Sequence, residues 1–256
     1  MPPALSSSTV PSVLAGSGIG MSFTDRWGGV SLAPYEELNL GTGSGDDVEA
    51  VAENRRRAAL RLGVDPTRVA WMRQVHGRDV ASISEPDGSR PPRVDGAVTS
   101  ATGVALAALA ADCVPVLLAE PVARVIGAAH AGRKGLTAGV VPAVVEAMRD
   151  RGARPGRVTV LVGPAICGRC YEVPQTMREE VAARVPQARC ETRHATPGLD
   201  IRAGVVAQLA AVGVGGIERD PRCTAESPEL YSHRRDGHTG RFAGYVWLTG
   251  EGGRTW

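Results

Sequence analysis

Three residues in this sequence carry side chains that together can hold a metal or drive covalent chemistry: His76, Cys113 and His130. Each stands where an extended or apolar run gives out, His76 after RVAWMRQV, Cys113 after VALAALAAD and His130 after VIGAA. The ends of buried strands are where an α/β protein builds a site. Two imidazoles and one thiolate suit a zinc with three protein ligands and an open fourth position, which is the catalytic rather than the structural pattern. Such a zinc keeps the thiolate ionised and brings water to a pKa of about 7. The same atoms also suit a Cys113 nucleophile paired with His130 or His76. Asp112, beside Cys113, is a candidate acid–base carboxylate or an orienting partner for an imidazole.

His130 is followed at once by AGRKG. Leu136, Val140, Val141, Val144, Val145 and Met148 then recur at helical spacing, which predicts one helix starting just after that turn. Such a turn presents backbone N–H groups to an anion, together with Arg133 and Lys134. Cations at a helix start oppose its dipole, which favours a functional anion there. Lys134 is the single lysine of the chain. Further on, Cys167 and Cys170 form CGRC, an arrangement that invites a redox or zinc-knuckle reading. No second CxxC follows and the context is not thioredoxin-like, so the loop is read as a pocket wall with Tyr171 or Glu172 as polar contacts. The segment from Cys223 to Arg241, with Tyr231, His233, Arg234, Arg235 and Asp236, is a substrate-facing lip or a salt-bridged loop.

The elements that position these groups follow from periodicity and punctuation. Residues 23–41 carry turn signals at Trp27-Gly28-Gly29 and Ala33-Pro34 and predict short strands joined by a tight loop. A helix begins with Asp46 as N-cap and stops at Gly63. Residues 68–80 read as a strand ending at Gln74-Val75-His76-Gly77. The loop after it runs to Val94-Asp95-Gly96 and leads into AVTS. A strand from residue 157 precedes the cysteine turn, a short helix covers 177–185, and another runs from the N-cap Asp200 to Gly213. A terminal strand closes the chain. Residues 1–18, rich in Ser, Pro and Gly, read as a disordered tail, and 19–256 as a single domain.

At 256 residues the chain can bury a substantial core, and 43% hydrophobic content describes a globular protein. A net charge of +2 is too small to imply nucleic acid or an anionic membrane as a partner. The N-terminus has no signal-peptide pattern, and the apolar stretch 104–119 is broken by Asp112 and too short to span a membrane. Five cysteines, an odd number, fit a reducing cytoplasm better than a disulfide framework.

RWGGVS with LNLG, QVHG, VDGAVTS, ADCVPVLL, AAHAGRKGL, GPAICGRCYEV and YSHRRDGHTGRFAGYVWL occur in that order from Phe23 to Leu248. Together they resemble the bacterial YfiH-type proteins, also called the laccase-domain or polyphenol oxidase family. The resemblance implies an α/β fold, a single-domain layered sandwich of mixed β-sheets flanked by helices, related to CNF-like cysteine hydrolases. It implies zinc held by His76, Cys113 and His130. It also implies a purine nucleoside phosphorylase that converts adenosine, inosine, guanosine and methylthioadenosine to base and ribose 1-phosphate, with adenosine deaminase activity. Other accounts of the family imply copper polyphenol oxidation, or hydrolysis of cell-wall precursors in peptidoglycan editing.

Laccase chemistry needs several copper centres built mainly from His clusters, which five histidines do not furnish. Phosphorolysis needs an anion site, a polar cradle for ribose and support for the departing purine. AGRKG, through Arg133 and Lys134, suits the first, and the loops of Tyr171 and Arg235 suit the others. Deamination needs an acid–base carboxylate, for which Asp112 or Glu172 are candidates. Many relatives have Trp and Arg at the positions of Arg133 and Lys134, so Lys134 offers a point charge in place of a planar fork. The expected partners are a purine nucleoside and phosphate, with no nucleic acid and no membrane, for a monomer or weak homo-oligomer.

Overall fold

The computed structural model describes residue 14 and residues 16–249. Most of the expected N-terminal tail, residues 1–13 and 15, lies outside the described residues. Within the remainder, Leu14 is only 1% exposed and packs in the core, with the Ser17 hydroxyl donating to its carbonyl.

Strand β1 (Ile19–Phe23) is followed not by further short strands but by irregular chain. The buried Asn54 of helix α1 (Val48–Arg61) takes over the work of a strand ladder there. Its amide donates to Ser31 Oγ, Glu37 O and Asn39 O, and its carbonyl accepts from Val30 N. The N-cap of α1 is Asp47, which accepts from Ala50 N at 2.8 Å, rather than Asp46. Asp46 turns back to Ser31 and Asn39.

The strand expected over residues 68–80 is shorter: β2 (Val69–Trp71) ends early and β3 (Val80–Ser82) begins separately. Strands β4 (Gly96–Thr99), β5 (Ala105–Ala110), β6 (Val114–Glu120) and β7 (Val125–Ala131) follow. The predicted single helix after His130 is two, α2 (Arg133–Ala138) and α3 (Val140–Arg149). They part at Gly139, whose φ of +83° is the left-handed C-terminal stop that glycine adopts without strain. Pro142 then sits in the first turn of α3, where its missing N–H costs nothing. The chain continues with β8 (Thr159–Val162), α4 (Gln175–Ala182), β9 (Arg189–Glu191) and β10 (Pro197–Leu199). Helix α5 (Ile201–Ala211) is capped by Asp200 as expected, and β11 (Gly216–Arg219), α6 (His233–Asp236) and β12 (Phe242–Leu248) complete the described chain.

Two sheets organise the core: a four-stranded sheet in the order β1-β12-β5-β2 and a six-stranded one in the order β11-β8-β6-β7-β4-β3, both with parallel and antiparallel pairs. Their facing surfaces meet through Met21, Phe23, Leu106 and Val246 on one side and Leu117, Ile126, Ala128 and Leu161 on the other. Helix α1 covers the outer face of the smaller sheet, with Ala58 and Ala59 against Ala105, Ala107 and Tyr245. Helices α2, α3 and α5 cover the larger sheet, with Val140, Val144, Val205 and Leu209 against Val116, Leu118 and Val160. Central strands are therefore covered on both faces, which explains their unbroken apolar runs. Each buried Leu, Val or Ile contributes roughly 1.5–3 kcal/mol. The chain crosses from one sheet to the other between β5 and β6, at Asp112 and Cys113, where Asp112 takes a φ of +90°.

Candidate active site

His130 lies on β7 on the face of Ile126 and Ala128, at the end of that strand, and is only 3% exposed. Cys113 is half-buried in the crossing between the sheets, and His76 is exposed in the loop after β2. The structure brings the three together: one ligand atom from each lies within 4.8 Å of the others. The two imidazoles meet edge to face, 4.9 Å between ring centres, and Cys113 Sγ is 3.9 Å from His76 Nε2.

The residue that assembles them is Asp95, which the sequence reading passed over. Its carboxylate is fully buried, 0% exposed. One oxygen sits 2.8 Å from His130 Nδ1 and accepts from His76 N at 3.0 Å; the other accepts from Val75 N and Gly77 N at 3.1 and 2.7 Å. Three successive amides thus wrap one carboxylate, a backbone nest in which the anion is internal. This holds His76 in a left-handed conformation, φ +61°, that non-glycine residues adopt uncommonly. The hydrogen bond to Nδ1 leaves Nε2 as the ligand atom of His130. Upstream, Gln74 pairs through its side chain with both backbone groups of Leu109, at 2.9 and 2.8 Å, and so carries the His76 loop along β5 without a strand. A signal for Asp95 was present, an acid immediately before the apolar GAVT strand, but nothing local in the sequence links it to either histidine.

The charges in the site are coupled. Burial opposes ionisation of the Cys113 thiol, but His130 and His76 outweigh it and bring it down to about 6. Burial likewise opposes the His130 imidazolium, and Cys113 with Asp95 overcomes this, raising it to about 9. Asp95 is held below the usual carboxylate range, since His130 and the Gly77 and Val75 amides outweigh its burial. Without a metal these shifts favour thiolate and imidazolium together, and a metal bound here would take the place of the His130 proton. Zinc fits this donor set: two imidazoles, a thiolate and an orienting carboxylate are the expected chemistry. A Cβ on Gly132 would come within 2.9 Å of Cys113 Sγ and 3.0 Å of His76 Cδ2, so only glycine leaves room beside the cluster.

The cluster opens on a cavity of about 730 Å³. Arg55, Arg73, Arg133, Arg234 and Arg241 line it, against one acid, Asp112. That carboxylate is already engaged, accepting from Thr224 Oγ1, Ser232 Oγ and Arg234 N at 2.6, 2.7 and 2.7 Å. Asp112 thus clamps the C-terminal loop onto the crossing, while the orienting role toward His130 falls to Asp95. Arg73 and Arg133 have no hydrogen-bond partner for their guanidinium groups among the described residues. Trp71, Met72, Ile166 and Tyr171 supply apolar and aromatic wall. Burial raises the Tyr171 phenol and keeps it protonated.

Two expected contacts do not reach this cavity. Lys134 is exposed on α2 and is not among the lining residues, whereas its neighbour Arg133 is. The Arg235 guanidinium is spent on the carbonyls of Thr224, Ser227 and Leu230 and on Asp236. Arg234 takes the lining position instead, stacked 5.0 Å over Tyr171 and donating to Glu172 O. Glu172 itself faces Thr196, at 2.9 Å, and does not line the cavity.

The family model described as multi-copper polyphenol oxidoreductase laccase matches residues 20–249. The chain belongs to this laccase-domain family. It is 61% identical, over 91% of its length and 96% of the relative's, to a protein of Streptomyces coelicolor named purine nucleoside phosphorylase. It is 38% identical, over 90% of its length and 94% of the relative's, to the Escherichia coli purine nucleoside phosphorylase YfiH. Among solved structures, YlmD from Geobacillus stearothermophilus superposes with a TM-score of 0.85 at 34% identity, covering 91% of this chain and 93% of that one. A Neisseria meningitidis protein of the DUF152 family gives 0.83 at 34% identity over 94% and 96%. The mixed α/β fold is that of these laccase-domain structures.

Proposed function

We propose that this laccase-domain protein is a zinc-dependent purine nucleoside phosphorylase, with His76, Cys113 and His130 as the metal ligands. The single observation that carries the reading is the arginine-lined cavity beside the cluster, five arginines against one engaged carboxylate, with the guanidinium groups of Arg73 and Arg133 unpartnered among the described residues. A phosphate anion needs such a site, and Arg73 and Arg133 have donors left to give it. The names carried by the relatives support the same reaction. In phosphorolysis a phosphate oxygen bonds to C1′ of the ribose as the bond from C1′ to the purine nitrogen breaks. The electron pair leaves with the base, which takes up a proton, and ribose 1-phosphate remains. Arg133 and Arg73 bind and orient the phosphate, Tyr171 offers a face for the base, and its protonated hydroxyl is a donor toward substrate oxygen or nitrogen. Asp95 keeps His130 in one orientation. Zinc in this donor set would supply Lewis-acid polarisation.

Adenosine deamination is the weaker part of the proposal. Asp112 is committed to three donors and Glu172 lies off the cavity, so the carboxylate that deamination requires is not at hand. Copper oxidase chemistry lacks support as well, since the two candidate metal groups among the described residues hold two imidazoles between them. One observation favours a second reading, a cysteine hydrolase: the Cys113 thiol is depressed by two imidazoles, as an activated nucleophile requires. We place the protein in the cytoplasm on the strength of its five free cysteines; no helix among the described residues is long and apolar enough to cross a membrane. Pure protein incubated with inosine, with and without phosphate, tests the proposal. Hypoxanthine and ribose 1-phosphate should form only with phosphate. Release of base at the same rate without phosphate would contradict phosphorolysis, and an acyl adduct on Cys113 from an amide substrate would favour the cysteine hydrolase.

A further inference from the structure

We propose that Cys167, Cys170, Cys223 and Glu226 form a second metal site, for zinc or a similarly thiophilic divalent cation, which staples the wall of the cavity and takes no part in the reaction. The sequence set CGRC aside for want of a second cysteine pair. The fold supplies the missing donors from CTAE, far along the chain.

A parallel bridge between Ala165 and Cys223, with Thr224 N donating to Ala165 O, brings the two segments side by side. Cys167 O accepts from the amides of Cys170 and Tyr171, both at 3.0 Å, in a turn that presents both thiols to one point. The three Sγ atoms and a Glu226 carboxylate oxygen lie within 4.8 Å of one another, Cys167 Sγ being 4.0 Å from Glu226 Oε2. Zinc–sulfur bonds of about 2.3 Å in a tetrahedron set sulfurs roughly 3.8 Å apart, so rotation of side chains closes the remaining gap. Four donors complete a tetrahedron with no open position, which is the structural pattern, and thiolates select zinc among common divalent ions.

Two further contacts suit the site. The Cys167 amide donates to Cys223 Sγ at 3.3 Å. Arg193 reaches both Cys170 Sγ and Glu226 Oε1, where its charge offsets part of the excess negative charge that three thiolates and a carboxylate leave on a dication. No disulfide ties up these sulfurs, since all five cysteines are free. The turn carries Ile166 and Tyr171, and the Cys223 segment leads to Arg234, all of which line the cavity. A metal here fixes these residues relative to one another without touching substrate.

The test does not depend on the activity assigned above. Zinc is measured in the full chain, purified under reducing conditions and dialysed free of loose metal. Two zinc per chain are expected, one in Cys113→Ser, and none when Cys167→Ser is added. In the Cys113→Ser background, zinc at a hundredfold excess over Kd should raise Tm by more than about 5 °C. Glu226→Gln, which preserves shape, should keep the fold yet release the second zinc faster to a chelator. With cobalt in place of zinc, Cys113→Ser should retain most of the thiolate charge-transfer absorbance. A Cys113→Ser protein that takes up no metal and gains no stability overturns the proposal, as does one whose zinc survives Cys167→Ser. One zinc per wild-type chain, lost through Cys167→Ser but not Cys113→Ser, would uphold this site and sink the reaction centre.

Discussion

The two clusters of ligating side chains are built differently. At His76, Cys113 and His130 there are three donors of mixed type, two of them imidazoles, placed on the floor of an arginine-lined cavity. At Cys167, Cys170, Cys223 and Glu226 there are four donors, three of them sulfur, and Arg193 caps them. The first has its ligand orientation fixed from behind by a buried carboxylate, Asp95, and its thiol depressed to about 6. The second is held by a turn, a parallel bridge between Ala165 and Cys223, and the Arg193 contacts, with no buried carboxylate behind it. A site that is oriented, charged and open serves reaction, and one that is filled by its own protein serves stability. On the two proposals the same chain uses cysteine in two ways, and what separates them is the supporting structure rather than the cysteine.

The sharpest way to break this contrast is to remove donors. His130→Ala or Cys113→Ser should lower the rate of base release more than about 100-fold, exceeding the loss seen when only an outer partner of a ligand is removed. Asp95→Asn should cost about 10–100-fold in zinc affinity or activity, measured by competition with a chelator and by kcat/KM, because it disorients His130 and releases the His76 loop together. Arg133→Ala should raise KM for phosphate about 10–100-fold, from the loss of one charged hydrogen bond, with little change in KM for the nucleoside.

A pH titration sharpens the electrostatic side. In metal-free protein, alkylation of Cys113 by iodoacetamide should rise with a midpoint near pH 6, below the value of about 8.5 for a free thiol. The sign follows from the neighbouring cations: the thiolate is favoured as long as His130 keeps its proton, and His130 is raised to about 9, so the pair persists between these limits. Asp95→Asn weakens the imidazolium and should move the alkylation midpoint upward. The smallest effect is expected at Lys134→Ala, within about 0.5 kcal/mol in stability and within twofold in KM for phosphate, since the side chain is exposed and off the cavity.

Much of this was legible in the sequence, and the misses share a cause. His76, Cys113 and His130 stand out because reactive side chains at the end of apolar runs are unusual and conspicuous. The apolar runs themselves foretold strands covered on both faces. Arg235 was one residue off, and Lys134 was named together with Arg133, which alone of the two lines the cavity: on a short helix, neighbours point about 100° apart, and composition does not tell which of two adjacent cations faces the cavity. Asp95 escaped notice because its importance comes from three amides and one imidazole that meet it only in three dimensions. Cys223 and Glu226 were unreadable as partners of CGRC for the same reason. The irregular segment after β1 misled because Asn54, on a helix, satisfies backbone groups that a strand pairing normally would.

The division of labour between the two clusters is tested most directly by following phosphate-dependent hypoxanthine release from inosine in Cys113→Ser and Cys167→Ser proteins side by side, each first shown to be folded by its cooperative thermal transition. The account predicts that Cys113→Ser is inactive although it still unfolds in a cooperative transition, and that Cys167→Ser melts earlier than wild type but retains most of its turnover below that transition. Turnover in Cys113→Ser, or an equal loss in folded Cys167→Ser, would contradict it.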